Sequence, residues 1–252
     1  IHSLAKKKNR DELGLFIAEG VKIIQDLIDS GLIPHLIFQT YQSVNDTRLK
    51  INTDSIKISD IEMAKISNLN TPTEILAIFE QKRNVKSDFS DIKFSPILFL
   101  DEIQDPGNMG TIIRTADWFG IKQIVCSPET VDCYNPKVVQ ATMGSIARVD
   151  IKYIEPSIFF NQLTKDYEII GAYMVGESIH NVTFQKKSVI VIGNEGKGIS
   201  HITQKFISKK IKVAKGEIII WGCAKGAGMI HPELQGLNAT MLSFILTDAG
   251  IE

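Results

Sequence analysis

The sequence predicts an α/β protein whose main part is a parallel β-sheet, preceded by a small α/β domain. After residue 96, apolar strand-like runs alternate with helical stretches, the pattern of a parallel sheet covered on both faces. Hydrophobic residues make up 44% of the 252-residue chain, enough for a substantial core. A polar, aperiodic stretch at 81–95 predicts a linker between a domain at 1–80 and a domain at 96–252.

The N-terminal domain shows alternating strand and helix signals. Apolar residues recur at helical spacing in 21–31 and predict one buried face, formed by Val21, Ile24, Leu27 and Ile28. A second helix is predicted around 59–67. The predicted strands are 14–20, 35–38 and 74–80.

The second domain repeats the alternation with more strongly apolar strands. Predicted strands are 97–100, 123–126, 168–175 and 188–193. Helices are predicted at 111–119 and near 136–144.

Charge and cysteine content limit the classes of function. The 28 basic and 29 acidic residues leave a net charge of -1, so any contact with a polyanion must be local. The three cysteines are Cys126, Cys133 and Cys223, and they form no CxxC pair. This pattern predicts buried free thiols in a protein of a reducing compartment. No apolar run is long enough to span a membrane and the first residues are no signal peptide, so a cytoplasmic protein without a membrane partner is expected. Three of the five histidines, His180, His201 and His231, share no metal-ligand spacing, so no metal is expected.

The stretch "DEIQDPGNMG" (101–110) lies where ligands bind in parallel sheets, beyond the carboxyl end of a strand. Pro106 and Gly107 predict a tight turn there. Asn108 is expected to cap the next helix, and Gly110 to let backbone approach a ligand.

The predicted helix at 111–119 has one apolar and one mixed face. The apolar stripe comprises Ile112, Ile113, Ala116 and Phe119, and the other face comprises Thr111, Arg114, Thr115 and Trp118. Arg114 is thus expected one turn inside the helix start, where a guanidinium suits phosphate or carboxylate. The alternative is an ordinary surface arginine after a capped turn.

A second loop, in "VIVIGNEGKGIS" (189–200), follows an apolar strand. Three glycines within six residues can bring main-chain groups close to an adenine or a ribose. The alternative is a tight connection from strand to helix.

In this order and at this separation, the two stretches resemble the signature motifs of the SpoU (TrmH) family of RNA ribose 2′-O-methyltransferases. "DPGNMGTIIRTADWFG" is similar to the first motif and "IVIGNEGKGIS" to the second. "NPKVVQATMGSIARVDI" (135–151) resembles the family's connecting helix. "FIAEGVKIIQDLIDSG" and "NTPTEILAIFE" resemble the ribosomal-protein-like RNA-binding domain that many members carry in front.

The resemblance implies a C-terminal trefoil knot of the SPOUT type, bound S-adenosylmethionine, a structured ribosomal or transfer RNA as substrate, and usually a homodimer. It also implies a catalytic role for Arg114, with Asn108 orienting the site and Glu195 beside donor and RNA. The implied cofactor-binding residues are Gly193, Asn194, Gly196, Val213, Leu237 and Asn238.

The C-terminal tail departs from the family pattern. Ala214 stands where a proline is expected and Gly236 where a serine is expected, although Leu237 and Asn238 fit the third motif. "AKGAGMIHP" and "ATMLSFILTDA" are instead similar to the region around the nucleophilic threonine of ornithine acetyltransferases, which would make Thr240 the nucleophile. A methyltransferase with an unusual, composite or misassigned tail is favoured. A non-catalytic RNA-binding protein and an acetyltransferase are the alternatives.

A basic cluster near the N-terminus offers a second place for RNA contact. Lys7, Lys8 and Arg10 could touch phosphate. The alternative, and the commoner meaning of such a run, is a solvated helix end.

Overall fold

The computed structural model describes residues 1–42, 54–82, 96–185 and 187–212, and the backbone of two short strands, β12 (Ile220–Trp221) and β13 (Glu233–Leu234). The chain forms two compact units, each built from several stretches of sequence. The first unit comprises Ile1–Lys86, Asp105–Arg114 and Val131–Asp150. The second comprises Ser87–Gln104, Thr115–Thr130 and Ile151–Glu252. Most of the predicted linker lies outside the described residues, so the linker and the domain boundaries stay predictions.

The first unit contains a four-stranded sheet with the order β1-β4-β2-β3. These strands are β1 (Leu15–Glu19), β2 (Pro34–Thr40), β3 (Ile56–Ile58) and β4 (Ile75–Glu80). β4 pairs antiparallel with β1 and β2, and β3 pairs parallel with β2. The predicted strands at 14–20, 35–38 and 74–80 are therefore confirmed.

Helices α1 (Lys7–Leu13), α2 (Val21–Asp29), α3 (Asp60–Ile66) and α5 (Pro136–Thr142) belong to the same unit. The predicted helix at 21–31 is confirmed, but its buried face is centred on Ile23, Ile24 and Leu27, with Val21 and Ile28 only half-buried. α3 begins with a capping box, since the Ser59 hydroxyl accepts the Glu62 N–H while the Glu62 carboxylate accepts the Ser59 N–H.

The second unit contains a seven-stranded sheet with the order β7-β6-β5-β10-β8-β11-β9. Its strands are β5 (Ile97–Asp101), β6 (Gln123–Cys126), β7 (Asp150–Tyr153), β8 (Glu168–Tyr173), β9 (Glu177–Ser178), β10 (Ser188–Gly193) and β11 (Lys209–Lys212). β10 pairs parallel with β5 and β8, β5 with β6, and β11 with β8 and β9. The predicted parallel sheet is therefore confirmed.

The core of this unit covers β5 completely, since all five of its residues are buried. Its helices are α6 (Pro156–Gln162) and α7 (His201–Gln204), and the remaining helix, α4 (Pro106–Trp118), belongs to the first unit as far as Arg114. α6 packs on the sheet through Phe159, whose ring centroid lies 5.3 Å from that of Phe99. No helix among the described residues is long and apolar enough to cross a membrane.

The chain reverses its direction of travel across the sheet between β5 and β10. β6 and β7 lie on one side of β5, whereas β8 and β11 lie beyond β10. Loops that leave the carboxyl ends of two such strands diverge and open a crevice where ligands bind in sheets of this kind. The predicted trefoil knot depends on residues after Lys212, outside the described residues apart from the β12 and β13 backbone, so it stays a prediction.

Candidate active site

The loop after β5 is shorter than predicted because α4 begins at Pro106 and not at residue 111. Asp105 caps the helix: its Oδ1 accepts the Asn108 N–H at 2.7 Å and its carbonyl accepts the Met109 N–H at 3.0 Å. Proline suits the first helical position because its missing N–H needs no partner there. The predicted tight turn at Pro106 and Gly107 and the predicted Asn108 cap are therefore wrong. Asn108 lies within the first turn of α4.

Arg114 lies more than two turns inside α4, because the helix starts five residues earlier than predicted. The prediction that Arg114 lies one turn from the helix start is therefore wrong, and Arg114 is not adjacent to the N-terminus of α4. Its side chain is half-buried, whereas Thr111 and Trp118 on the same face are exposed.

The apolar face of α4 is largely as predicted. Ile112, Ile113 and Ala116 are fully buried. Phe119 is 47% exposed and follows the last helical residue, so its predicted burial is wrong. Met109, in the first turn of the earlier helix start, is fully buried instead.

Gly110 serves helix packing and not the approach of a ligand. A Cβ at this position would lie 2.3 Å from the Ala141 Cβ and 2.9 Å from the Val138 carbonyl oxygen, both in α5. The helices can therefore lie this close only because residue 110 has no side chain. The ligand approach predicted at Gly110 is wrong.

The loop after β10 is a tight turn closed by backbone hydrogen bonds. Asn194 and Gly198 exchange N–H to carbonyl bonds of 3.0 and 2.9 Å. A Cβ at Gly193 would lie 2.4 Å from the Gly198 carbonyl carbon, and Gly198 has a φ of +72°. Both glycines are therefore required by the turn itself.

The side chain of Asn194 organises this turn. Its Oδ1 accepts the N–H groups of Gly196 and Lys197 at 2.9 Å each. Its Nδ2 donates to the Glu102 carbonyl at 2.8 Å and so ties the turn to the end of β5. The N–H groups of Gly196, Lys197 and Gly198 are all donated within the loop. Asn194 therefore shapes the predicted donor loop through its amide.

Asp101, the last residue of β5, lies opposite Gly193 in the register of the sheet. It is 1% exposed, and its Oδ2 accepts the Ser200 N–H at 2.7 Å. Among the described residues its Oδ1 is buried without a hydrogen-bond partner, as is the Tyr173 hydroxyl. Burial and the negative charge of Asp101 raise the pKa of the Tyr173 phenol above its ordinary value. Asp101 thus supplies an unsatisfied acceptor at the base of the glycine loop.

Glu102 follows Asp101 in a left-handed backbone conformation, with a φ of 59°. Its N–H donates to the Ser127 hydroxyl at 2.9 Å, and its carbonyl accepts the Asn194 amide described above. Asp101 and Glu102 were not predicted as individual site residues. They could have been found from their place at the carboxyl end of an apolar strand, at the start of the stretch 101–110.

The predicted RNA contact at Arg10 is wrong. Arg10 is 1% exposed and forms an ion pair of 2.5 Å with Asp132, and it also donates to the carbonyls of Leu4 and Ala5 at 2.8 Å. A guanidinium held this way has no surface to offer to a phosphate. Lys7 and Lys8 are exposed, and their RNA contacts stay predictions.

The structure brings some of the predicted residues together. Asn108 and Arg114 share α4. Gly193 ends β10 and leads directly into the loop that contains Asn194, Glu195 and Gly196, in which Glu195 is exposed. The other predicted residues lie outside the described part of the chain: Val213, Leu237, Asn238 and the alternative nucleophile Thr240. Cys126 and Cys133 are buried free thiols as predicted, and Cys223 falls outside the described residues.

The acidic groups at this edge of the sheet fit S-adenosylmethionine, a sulfonium cation with amine and hydroxyl donors. Within the part of the chain that the structure describes, one carboxylate oxygen of Asp101 has no hydrogen-bond partner, and Glu102, the next residue in sequence, carries a second carboxyl group. Both precede the loop that Asn194 ties to β5.

Comparison with known families divides the chain into three matching segments. Residues 1–77 match the MRM3-like substrate binding domain and residues 95–217 match the SpoU rRNA Methylase family. Residues 198–252 match the ArgJ family, which covers the tail that departs from the SpoU pattern.

Individual proteins of the first two kinds resemble most of the described chain. The 23S rRNA (guanosine(2553)-2'-O)-methyltransferase RlmP of Bacillus subtilis is 23% identical over 199 residues, which are 78% of each chain. The mitochondrial rRNA methyltransferase 3 of Xenopus laevis is 33% identical over 159 residues, but this chain spans only 36% of that protein and the match covers 58% of this chain.

A solved structure supports the same fold. The SpoU methyltransferase AviRb from Streptomyces viridochromogenes, determined with AdoMet, has a TM-score of 0.77 at 20% identity, covering 97% of this chain and 92% of that one. Such a likeness concerns the fold. The family matches, in turn, assign residues 95–217 to a SpoU rRNA methylase family domain and residues 1–77 to a domain of the MRM3-like substrate binding kind.

Proposed function

We propose that this protein methylates a ribose 2′-hydroxyl in ribosomal RNA with S-adenosylmethionine as the methyl donor. The observation that carries the proposal is the parallel pairing of β5 and β10, with Gly193 opposite Asp101. This register places the two family motifs after neighbouring strand ends, where a crevice is expected. RlmP of Bacillus subtilis is named for this reaction, and the matching substrate binding domain at 1–77 supports RNA as the partner.

S-adenosylmethionine supplies an activated methyl group on a good leaving group. The protein has to hold the ribose hydroxyl in line with that group and to assist the loss of its proton. Arg114 is the residue we assign to this task, because a guanidinium can hold the RNA phosphate beside the ribose and stabilise a developing alkoxide. Asn108, in the first turn of the same helix, is assigned to orienting the site.

The glycine loop is assigned to the donor. Asn194 holds the loop against β5, and Glu195 is exposed in the same turn, where it can face donor and RNA. Val213, together with Leu237 and Asn238 of the third motif, is proposed to complete the donor site. A homodimer and a reducing, cytoplasmic location complete the proposal.

Transfer of a labelled methyl group from S-adenosylmethionine to ribosomal RNA tests the function. The Arg114→Ala variant is expected to lose at least a hundredfold in rate while binding the donor within a few fold of wild type, since Arg114 acts on the RNA. Lys122→Ala, which removes an exposed positive charge just beyond α4, is the matched control and should keep its rate. Wild-type activity in Arg114→Ala on the same RNA would refute the assignment.

The C-terminal tail supports a second candidate function, that of an RNA-binding protein that has lost its site for the methyl donor. The ArgJ match at 198–252 covers the positions of the third motif, where Ala214 and Gly236 depart from the SpoU pattern. Calorimetry with S-adenosylmethionine separates the two functions. A catalytic protein binds the donor, whereas a degenerate one binds RNA alone.

A further inference from the structure

Glu102 adopts a backbone conformation that side chains disfavour. Its φ of 59° lies in the left-handed region, which it shares with only one other non-glycine residue of the described chain, Met143. Met143 ends α5, where a left-handed residue is an ordinary helix cap. Glu102 caps no helix, so its conformation has a different cause.

Two side chains hold Glu102 in this conformation from either side. The Ser127 hydroxyl accepts its N–H at 2.9 Å, and the Asn194 amide donates to its carbonyl at 2.8 Å. Thr130 supports this arrangement by donating to the Leu100 carbonyl at 3.0 Å. The two bonds to residue 102, from its N–H to Ser127 and from Asn194 to its carbonyl, involve only its backbone, so glycine would form them equally well and without the strain. These hydrogen bonds therefore do not explain why residue 102 carries a carboxyl group.

The carboxylate of Glu102 also lacks a structural role among the described residues. Within 1–42, 54–82, 96–185 and 187–212, no side chain or backbone group hydrogen-bonds or pairs with it, and its residue is half-buried. Strained residues of this kind concentrate at functional sites, where the strain is offset by what the side chain does.

The position of Glu102 indicates which ligand its charge would affect. It is joined through its carbonyl to the first turn residue of the glycine loop, and it follows the buried carboxylate of Asp101. Asp101 and Glu102 contribute two carboxyl groups to this edge of the sheet, against one cation, Lys197, in the glycine loop. S-adenosylmethionine carries a positive sulfonium, whereas the demethylated product, S-adenosylhomocysteine, has a neutral sulfur.

We propose that Glu102 is a specificity-determining residue that makes the site favour the cationic methyl donor over its neutral product. The inference rests on the proposed function, because it takes the glycine loop as the donor site. Its physical basis is electrostatic attraction. A carboxylate several ångströms from a cation in a partly solvated site strengthens the binding of that cation about fivefold.

Calorimetry on the full chain tests the proposal with three ligands. These are S-adenosylmethionine, S-adenosylhomocysteine and sinefungin, in which an amine-bearing carbon replaces the methylated sulfonium. Glu102→Gln keeps the shape of the side chain and removes its charge. This variant is expected to bind both cationic ligands about fivefold more weakly than wild type. Its affinity for S-adenosylhomocysteine should stay within about twofold of the wild-type value.

Two further variants separate charge from structure. Glu102→Gly removes the carboxylate and the strain together, so it should melt a few degrees higher than wild type and show the same loss of preference for cations. Glu155→Gln removes an exposed charge before α6, two strands away from β5, and should change none of the affinities.

If Glu102→Gln lowered the affinity for all three ligands equally, or for none of them, the proposal would be overturned and the methyltransferase assignment would stay intact. Unchanged preference for cations in Glu102→Gly would overturn it as well. Failure of the wild-type protein to bind any of the three ligands would instead refute the proposed function, and the inference with it.

Discussion

Replacing Gly193 by alanine should disrupt the donor loop, because the loop folds back directly onto this residue. An added Cβ would lie 2.4 Å from the Gly198 carbonyl carbon, 2.5 Å from the Ile199 nitrogen and 2.6 Å from the Gly198 oxygen. Carbon atoms in contact are normally about 3.5–4.0 Å apart. The facing backbone therefore has to move by about 1 Å, and no flexible side chain can absorb the shift.

This displacement has two measurable consequences. Overpacking of this kind costs about 1–3 kcal/mol of unfolding free energy. A shift of about 1 Å in a binding loop also costs up to about a hundredfold in function, so Gly193→Ala should bind S-adenosylmethionine at least tenfold more weakly. Urea denaturation measures the first effect and calorimetry the second.

Gly196→Ala provides a matched control for stability within the same loop. Among the described residues, its added Cβ would meet only the Asn194 Oδ1, at 3.6 Å, which is ordinary contact. Unfolding of this variant should therefore resemble that of wild type. If Gly196 lies against the donor as predicted, the variant will bind the donor more weakly without unfolding more easily. A Gly193→Ala protein with wild-type stability and donor affinity would contradict the steric argument.

Two further predictions concern the first unit. Arg10→Ala should cost about 3–5 kcal/mol of unfolding free energy in urea, because Asp132 is left nearly buried without its partner, whereas exposed Lys8→Ala should cost less than about 0.5 kcal/mol. Burial raises the pKa of the Tyr134 phenol above its ordinary 10.0, so its contribution to stability is present below pH 10 and is lost as the pH rises further. Measured by urea denaturation, Tyr134→Phe should gain stability relative to wild type between pH 10 and 11, and a constant difference would contradict this.

The strands could be predicted from the sequence because burial on both faces leaves long apolar runs. β6 and β10 were predicted with their observed ends, and β5 to within one residue. The start of α4 could not be predicted correctly from turn-forming residues alone. Proline and glycine favour turns, but an aspartate cap followed by proline also begins a helix, and here the helix prevails.

The candidate site shows the same limit more strongly. Its loops were found because glycine-rich stretches after strands are visible in a single sequence. The roles of individual side chains were not visible, because their partners are distant in sequence. Asn194 donates a hydrogen bond to a carbonyl 92 residues away, and Arg10 donates to a carboxylate 122 residues away. A basic run such as 6–10 gives no local sign that one of its members is buried.

The ion pair between Arg10 and Asp132 has a consequence for how the protein is made. The first unit combines Ile1–Lys86 with Asp105–Arg114 and Val131–Asp150, and α5 packs against β1. During translation the amino-terminal sheet emerges early, yet its Arg10 has no counter-charge until residue 132 has left the ribosome. We therefore expect nascent chains that stop near residue 90 to be protease-sensitive and chains extended past residue 150 to be protected.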